Sequence, residues 1–281
     1  MAVRLIVDST SDLSNEYVKE HGLYFIPMRV TFGSEEFLDG VTLSKEEFYE
    51  KLVQSPELPH TSMINSYEYG QAFRKISEDG DSGIVITISE KLSGTLQSAR
   101  IAAEEFENIY VVDSGQATIS EQILILYAQQ LIEEGYSAEE IVSLLNEKKE
   151  KICLVAVVDT LEYLKKGGRI SAAAAIAGGM LKIKPVLGIR DGELIVLGKA
   201  RGANGGNNLL NEKIRDVGGI DFAMPCLLGY SGTDDSLLQT YIEGSRNLWE
   251  GKLDRLPIAQ IGCTIGTHAG PGAIAVAFFS V

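Results

Sequence analysis

Short apolar runs alternate with amphipathic stretches through the first half of the chain, and this order limits the fold more than any other feature of the sequence. Two strands joined through a helix need a crossover connection, which makes them parallel. Two of the helical stretches open with a capping box, Ser44 with Glu47 and Ser137 with Glu140. The predicted strands are Val3–Val7, Phe25–Thr31, Gly83–Ser89 and Ile109–Asp113. The pattern predicts an α/β fold whose N-terminal domain has a parallel, Rossmann-like sheet.

The second half has a different character. Ile152–Val158 predicts one more buried strand, and the Asp191-Gly192 pair between apolar runs is typical of a hairpin. Local antiparallel pairing of this kind favours a smaller C-terminal domain of α+β type. The chain closes with a predicted helix, Ser236–Leu248, and a predicted strand, Gly272–Val281. We therefore expect an N-terminal domain of residues 1–158 packed against a C-terminal domain of residues 159–281, with a ligand between them.

The charge balance is acidic, with 25 Lys and Arg against 39 Asp and Glu, a formal net charge of −14. Such a charge argues against nonspecific binding to nucleic acid or to an anionic membrane surface. No stretch approaches the ~18 apolar residues of a membrane span, and the apolar run at the start is too short for a signal peptide. We expect a cytoplasmic protein with no nucleic-acid partner and no stable membrane insertion.

Cysteine and histidine give no sign of a metal site. The three cysteines, Cys153, Cys226 and Cys263, are far apart and flanked by apolar residues. This favours buried free thiols over a disulfide or a metal site. The three histidines are scattered and lack the spacing of zinc ligands, so we expect no metal.

The Ser93-Gly94-Thr95 turn lies between a predicted strand and a helix that starts near Thr95. Gly94 allows the backbone close to a ligand, a helix start has free N–H groups, and two hydroxyls add donors, so the turn suits an anion. The alternative is plain N-capping, in which Ser93 or Thr95 satisfies the helix start and binds nothing. The P-loop pattern is absent.

Two further segments carry polar groups that could face a ligand. Thr61-Ser62 precedes Asn65-Ser66, and Ser66 is a predicted cap for a helix that begins at Tyr67. The alternative for Thr61-Ser62 is a turn in a surface loop. His268 lies in a predicted glycine-rich loop, where it could donate to an anion, act as an acid–base group, or bond a backbone carbonyl.

Conventional catalytic patterns are weak. Gly229-Tyr230-Ser231-Gly232 is one residue short of the Gly-x-Ser-x-Gly elbow. Asp8, Asp12 and Asp113 each follow a predicted strand and could hold magnesium, but aspartates at such positions also cap helices. From the residues alone, the sequence indicates an anion site in a cleft.

Six motifs, in this order and from end to end of the chain, resemble the DegV family. They are Asp8 through Asp12, Thr61-Ser62, Lys91 through Thr95 with Gln97-Ser98-Ala99, Val112-Asp113-Ser114, Leu164 through Ile170, and Thr267 through Gly272. Proteins of this family bind a fatty acid between two domains, and some present it to a separate kinase that makes an acyl phosphate.

The resemblance implies a non-catalytic protein that binds a long-chain fatty acid such as palmitate and needs no cofactor. By analogy with some members, it also implies a role as the subunit of a fatty acid kinase that carries the fatty acid. It implies that Thr61 and Ser93 bind the carboxylate, with Gly94 and His268 at the same place. Further residues expected nearby are Ser62, Asn65, Thr95, Ser114 and Arg169. The competing hypothesis is an enzyme that acts on a small phosphorylated or carboxylated substrate with Asp8, Asp113 and His268.

Some segments bear on a kinase partner. Lys165, Lys166, Arg169, Lys182 and Lys184 concentrate positive charge, as either a solvated face or a docking patch. The chain departs from the family at Ser120-Glu121-Gln122, in the Asn- and Gly-rich segment 203–208, where basic residues are usual, and in residues 272–275, which lack a usual glycine.

Overall fold

A computed structural model describes residues 2–170 and 183–281. Its strands are β1 (Val3–Asp8), β2 (Tyr24–Ile26), β3 (Arg29–Phe32), β4 (Glu35–Leu38), β5 (His60–Ser62), β6 (Ser82–Thr87), β7 (Ile109–Asp113), β8 (Ile152–Val157), β9 (Ile183–Arg190), β10 (Glu193–Arg201), β11 (Leu227–Tyr230), β12 (Ile258–Gln260) and β13 (Ile274–Phe279). Its α-helices are α1 (Asn15–Glu20), α2 (Lys45–Gln54), α3 (Ser66–Glu78), α4 (Thr95–Ala103), α5 (Ile119–Glu133), α6 (Ala138–Lys148), α7 (Glu162–Lys166), α8 (Gly202–Asp216), α9 (Ser236–Gly244), α10 (Arg246–Trp249) and α11 (Cys263–Ala269).

The predicted parallel sheet is present. Its order is β2-β1-β6-β7, and every neighbouring pair is parallel. The capping boxes at Ser44 and Ser137 start α2 and α6 as expected. The carboxyl ends of β1, β6 and β7 therefore meet at one edge, which is where ligands of open α/β sheets bind.

A six-stranded sheet of order β10-β9-β8-β13-β11-β12 forms the second layer. The Asp191-Gly192 hairpin is confirmed: both residues have positive φ, at 51° and 79°, as a type I′ turn needs. β8, expected to end the first domain, pairs with β9 and β13 in this second sheet. The division at residues 158 and 159 stays a prediction.

The single strand predicted over Phe25–Thr31 is wrong. The chain forms β2 in the parallel sheet and β3 in a separate antiparallel sheet of order β4-β3-β5. Pro27 separates the two strands, and because proline has no N–H to donate, it interrupts a ladder. The break positions β5, and therefore Thr61, beside β3.

Two boundaries near the C-terminus also differ from prediction. The helix expected over Ser236–Leu248 is interrupted at Ser245, between α9 and α10. The last strand begins at Ile274 and not at Gly272, whose φ of 79° is outside the strand region. No helix in the described ranges is long and apolar enough to cross a membrane.

Helix α5 lies between the two larger sheets. Its apolar residues within Ile123–Leu131 join one core cluster with Val7 and Ile86 of the parallel sheet and with Ala277 and Phe279 of β13. This stretch is therefore core, the more favoured of two roles that its sequence allowed. The other stretch considered as a tunnel lining, Ile176–Leu181, and the alanine-rich Ser171–Ala177 lie outside the described residues.

Candidate functional site

An apolar cavity of about 330 Å³ lies between the carboxyl edge of the parallel sheet and the six-stranded sheet. Four of the principal predicted residues line it together: Thr61, Ser93, Gly94 and His268. Its volume is within the range of small-molecule sites, which begins near 300 Å³. Most of the remaining wall is aliphatic and consists of Met28, Met63, Ile88, Leu92, Ala117, Leu154, Ala156, Val158, Leu164, Leu187, Ile189, Leu194, Ile261, Ile265, Ala269 and Ala273.

Thr61 and His268 are in direct contact at the polar end of this cavity. The Thr61 Oγ1 atom lies 2.9 Å from His268 Nε2. Thr61 is in β5, which pairs with β3 through the Val30–Thr61 register. The surface turn considered for Thr61 is therefore replaced by a strand that directs its hydroxyl to the histidine.

The imidazole of His268 is neutral near pH 7, because burial and, less strongly, the charge of Arg169 lower its pKa to about 4. Among residues 2–170 and 183–281, its buried Nδ1 atom has no hydrogen-bond partner. A neutral ring carries one N–H, and the partner that the described residues supply is at Nε2, so we place the proton there. His268 then donates to Thr61 Oγ1, which leaves the Thr61 hydroxyl proton for another acceptor.

His268 is in the last turn of α11 and not in the loop that its glycine-rich surroundings predicted. Two buried carboxylates stabilise the start of this helix. Asp39 accepts from the N–H groups of Cys263 (3.1 Å) and Thr264 (2.9 Å), and Asp12 accepts from Gly262 N (2.8 Å). Residues far away in sequence thus satisfy free N–H groups that local sequence leaves open.

Ser93 faces the cavity from the turn before α4, and Gly94 is the N-cap residue. The Ser93 Oγ atom is 2.9 Å from Thr95 Oγ1 and accepts from Thr95 N at 3.3 Å. With Thr95 as donor in both contacts, the Ser93 proton is free. The helix-capping alternative is therefore present in the structure, but it leaves Ser93 able to donate to a ligand. Thr95 itself supports Ser93 and does not line the cavity.

Arg169 contacts both the turn that carries Ser93 and the backbone next to His268. Its Nε donates to Leu92 O (3.2 Å), next to Ser93, and its Nη1 donates to Gly167 O (2.7 Å), on which the His268 ring packs. Burial lowers the pKa of its guanidinium below the usual value for arginine. Arg169 lines the cavity as well. It supplies positive charge and holds both ligand-facing turns.

The other residues expected near the carboxylate lie in different places. Ser62 lines the cavity, whereas Asn65 is the N-cap of α3, accepting from Glu68 N at 3.0 Å. The cap was predicted one residue later, at Ser66. Ser114 lies in a different cavity, of about 680 Å³, where its hydroxyl bonds to the backbone of Gln116.

The aspartates after the strands have structural partners. Asp8 accepts from Thr10 N (2.8 Å) and Ile88 N (3.1 Å), and Asp113 accepts from Gly115 N (2.9 Å). Asp113 borders the larger cavity while His268 borders the apolar one. The residues of the competing enzyme hypothesis therefore do not share a cavity. Within residues 2–170 and 183–281, no group of three or more acidic, His or Cys side chains is placed to hold a metal.

Sequence patterns missed most of the aliphatic wall. Leu154, Ala156 and Val158 occupy alternate positions of β8 and its end, so one face of a buried strand forms the lining. A continuous apolar run gave no indication of which face borders a cavity. Alternate side chains of a strand point to opposite faces, so the lining residues of β8 could have been identified from the sequence only if the face bordering the cavity had been known.

The cysteines agree with the sequence. All three are free thiols, with Cys226 and Cys263 buried and Cys153 half-buried. Burial raises the pKa of each thiol. The prediction of buried thiols therefore holds for Cys226 and Cys263, whereas Cys153 borders the larger cavity, and none of the three lines the apolar cavity.

The chain is similar to known proteins along its whole length. The sequence model described as "Uncharacterised protein, DegV family" matches residues 2–281. A DegV domain-containing protein of Caldanaerobacter subterraneus subsp. tengcongensis is 36% identical over 278 residues, 98% of each chain. A fatty-acid-binding DegV family protein of Thermus thermophilus has a TM-score of 0.89 at 29% identity and covers 100% of both chains. A stearic-acid-binding protein of Eubacterium ventriosum has a TM-score of 0.85 at 30% identity, covering 100% of this chain and 98% of that one. The chain belongs to the DegV family.

Proposed function

We propose that this protein binds a long-chain fatty acid in the apolar cavity, with its carboxylate on the hydroxyls of Thr61 and Ser93. One observation supports this most strongly. At the polar end of a mostly aliphatic cavity, the Thr61 hydroxyl lies 2.9 Å from His268 Nε2 and the Ser93 hydroxyl lies 2.9 Å from Thr95 Oγ1, and with His268 and Thr95 as the donors both hydroxyls keep a proton for a ligand. Two convergent O–H donors suit a carboxylate, which is an acceptor only.

The aliphatic wall supplies most of the affinity in this proposal. A saturated sixteen-carbon chain buries about 14 methylenes at ~0.8 kcal/mol each, roughly 11 kcal/mol before the costs of association. The carboxylate head group needs hydrogen-bond partners, because a buried unpaired carboxylate is very costly and would cancel this contribution. Thr61, Ser93 and the charge of Arg169 meet that need.

The structure supports a role as the partner of a kinase by fewer observations than it supports fatty-acid binding. In this view the protein is not itself an enzyme, and it presents the carboxylate to a partner that phosphorylates it. Lys165 and Lys166 are exposed at the end of α7, close in sequence to Arg169, and could meet a phosphate-carrying partner. Lys184 is paired with Asp159, and Lys182 lies outside the described residues. The expected cytoplasmic location stays a prediction.

The departures from the family pattern occupy ordered positions. Ser120, Glu121 and Gln122 are buried in the first turn of α5. The Asn- and Gly-rich segment 203–208 forms the first turns of α8, where Gly206 packs against Val157. Neither of these two sets lines the apolar cavity, whereas Ala273 of the third departure, residues 272–275, does. Fatty-acid binding therefore does not depend on the first two sets.

Native mass spectrometry of the purified protein tests the binding proposal. We expect a co-purified long-chain fatty acid, or uptake of palmitate after delipidation. A delipidated protein that takes up no fatty acid contradicts the proposal. Ser93→Ala and Ser114→Ala form a matched pair, since each removes one hydroxyl but only Ser93 lines the apolar cavity. Only Ser93→Ala should lower the fraction of protein with bound ligand.

A further inference from the structure

Two cavities meet at a pair of aliphatic side chains on the six-stranded sheet. The apolar cavity and the larger cavity of about 680 Å³ share two of the described lining residues, Leu154 and Ile189. Val155 lies opposite Gly188 in the β8–β9 register, so Leu154 and Ile189 are adjacent across the strands and on the same face. The two side chains thus form a partition between the cavities.

The cavities lie end to end along β8. On one face of this strand, Ile152 borders the larger cavity, Leu154 borders both, and Ala156 borders the apolar cavity, as does Val158 just beyond the strand. On β9 the order is the same: Leu187 borders the apolar cavity, Ile189 both, and Asp191 the larger one. One direction along the sheet therefore leads from one cavity into the other.

The partition is at the end of the apolar cavity opposite to the proposed carboxylate site. Val158 packs with Leu164, whose helix α7 leads directly to Gly167 and Arg169 at the polar end. Leu154 is four residues from Val158, roughly 13 Å along an extended strand. An extended hydrocarbon chain with C–C bonds of ~1.5 Å advances roughly 1.3 Å per carbon, so about ten carbons cover this distance. The carboxylate site lies beyond Val158, so the carbons between the head group and Val158 add to these ten, and the tail of a long-chain ligand such as palmitate reaches the partition.

We propose that Leu154 and Ile189 set the upper limit of acyl-chain length by closing the apolar cavity against the larger one. This inference rests on the proposed fatty-acid binding and names the ligand class within it: chains that end at the partition. Beyond it the lining becomes more polar, with Glu90, Asp113 and Lys149 among its residues. Carbons that cross the partition would have to displace packed side chains before they gained further apolar contact.

The test uses delipidated full-length protein and saturated fatty acids of 10 to 20 carbons, with dissociation constants from competition against a fluorescent fatty acid. In the wild type, each added methylene should tighten binding about fourfold until the tail meets the partition, after which the gain should stop. Leu154→Ala with Ile189→Ala removes the partition. The break point should then move to longer chains by at least two carbons.

Leu187→Ala is the matched control, because Leu187 is a buried leucine of the same sheet that lines the apolar cavity alone. It should alter affinity without moving the break point. If the double variant does not fold, Ile189→Ala alone serves, since Ile189 is only half-buried.

The outcomes separate this inference from the function on which it rests. A wild type that binds no member of the series contradicts fatty-acid binding itself. A wild type that binds the series, with a break point unchanged in the partition variants or equally shifted by Leu187→Ala, contradicts the partition only.

Discussion

The Thr61 Oγ1 atom lies 2.9 Å from His268 Nε2, although 207 residues separate the two in the chain. With the proton of the neutral imidazole on Nε2, His268 donates to the Thr61 hydroxyl. Because the neutral histidine donates to Thr61, the threonine hydroxyl must donate onward. The pair therefore works as a positioned donor and not as an acid–base couple, which agrees with a binding role.

Thr61→Val should weaken fatty-acid binding by about 1–3 kcal/mol, because it removes the donor and keeps the shape of the side chain. Thr61→Ser keeps the hydroxyl and should lose far less. Isothermal titration of palmitate into delipidated protein measures both. Equal losses for Val and Ser would mean that packing, and not the hydroxyl, is what the ligand uses.

Gly167→Ala should displace His268. A Cβ at this position would overlap the imidazole at Nδ1. We expect binding to weaken by about 2 kcal/mol, roughly 30-fold, because Thr61 loses the group that orients it. Gly70→Ala, in the middle of α3 with open space around the added Cβ, is the control and should leave affinity unchanged while stabilising the fold by about 0.5–1 kcal/mol. Unchanged palmitate affinity in Gly167→Ala would contradict the assigned role of His268.

Asp39→Asn should weaken ligand binding without a contact to the ligand. The buried carboxylate accepts from two N–H groups at the start of α11, and an amide presents a donor to one of them. We expect a loss of about 1 kcal/mol in the free energy of unfolding, with a measurable loss of palmitate affinity. Ser137→Ala removes the cap of α6 and should cost similar stability with no loss of affinity. The same affinity loss in both variants would point to general destabilisation.

Glu121 should make the protein less stable as pH rises. The single hydroxyl proton of Thr10 faces two carboxyl groups, Asp8 and Glu121, with Glu121 Oε2 at 2.9 Å. One carboxyl must carry a proton, and burial, followed by the charge of Asp8, raises the pKa of Glu121 well above 4.5. A carboxyl whose pKa is higher in the folded state binds more protons there, so its stabilising effect is complete below the unfolded pKa and falls as pH rises.

Glu121→Gln keeps the shape and cannot ionise, so its stability should exceed that of the wild type increasingly at higher pH. The difference should grow by up to about 1.4 kcal/mol per pH unit. Urea unfolding of both proteins between pH 5 and pH 9 measures it. Burial also raises the pKa of Asp8 to about 6 and that of Asp12 to about 7, but both residues are present in the two proteins. Parallel stability curves would contradict a protonated Glu121.

Local signals in the sequence located many elements but few of their boundaries. Capping boxes at Ser44 and Ser137, the Asp191-Gly192 turn and the alternation of strands and helices are short-range patterns, and each was confirmed. Pro27 and Ser245 divide elements that were predicted whole. The apolar pattern continues across both breaks, and only the pairing of distant strands and the packing of helices show where each element stops.

By itself, the sequence determined the α/β class and the anion-suited turn at Ser93, because hydrophobic period and turn chemistry are set by neighbouring residues. The tertiary structure alone decided that Thr61 meets His268, that Asp39 caps the helix carrying His268, and that Leu154 and Ile189 separate two cavities. Each of these contacts joins residues far apart in the chain. Their spacing depends on how the two larger sheets pack around α5, which no local pattern records.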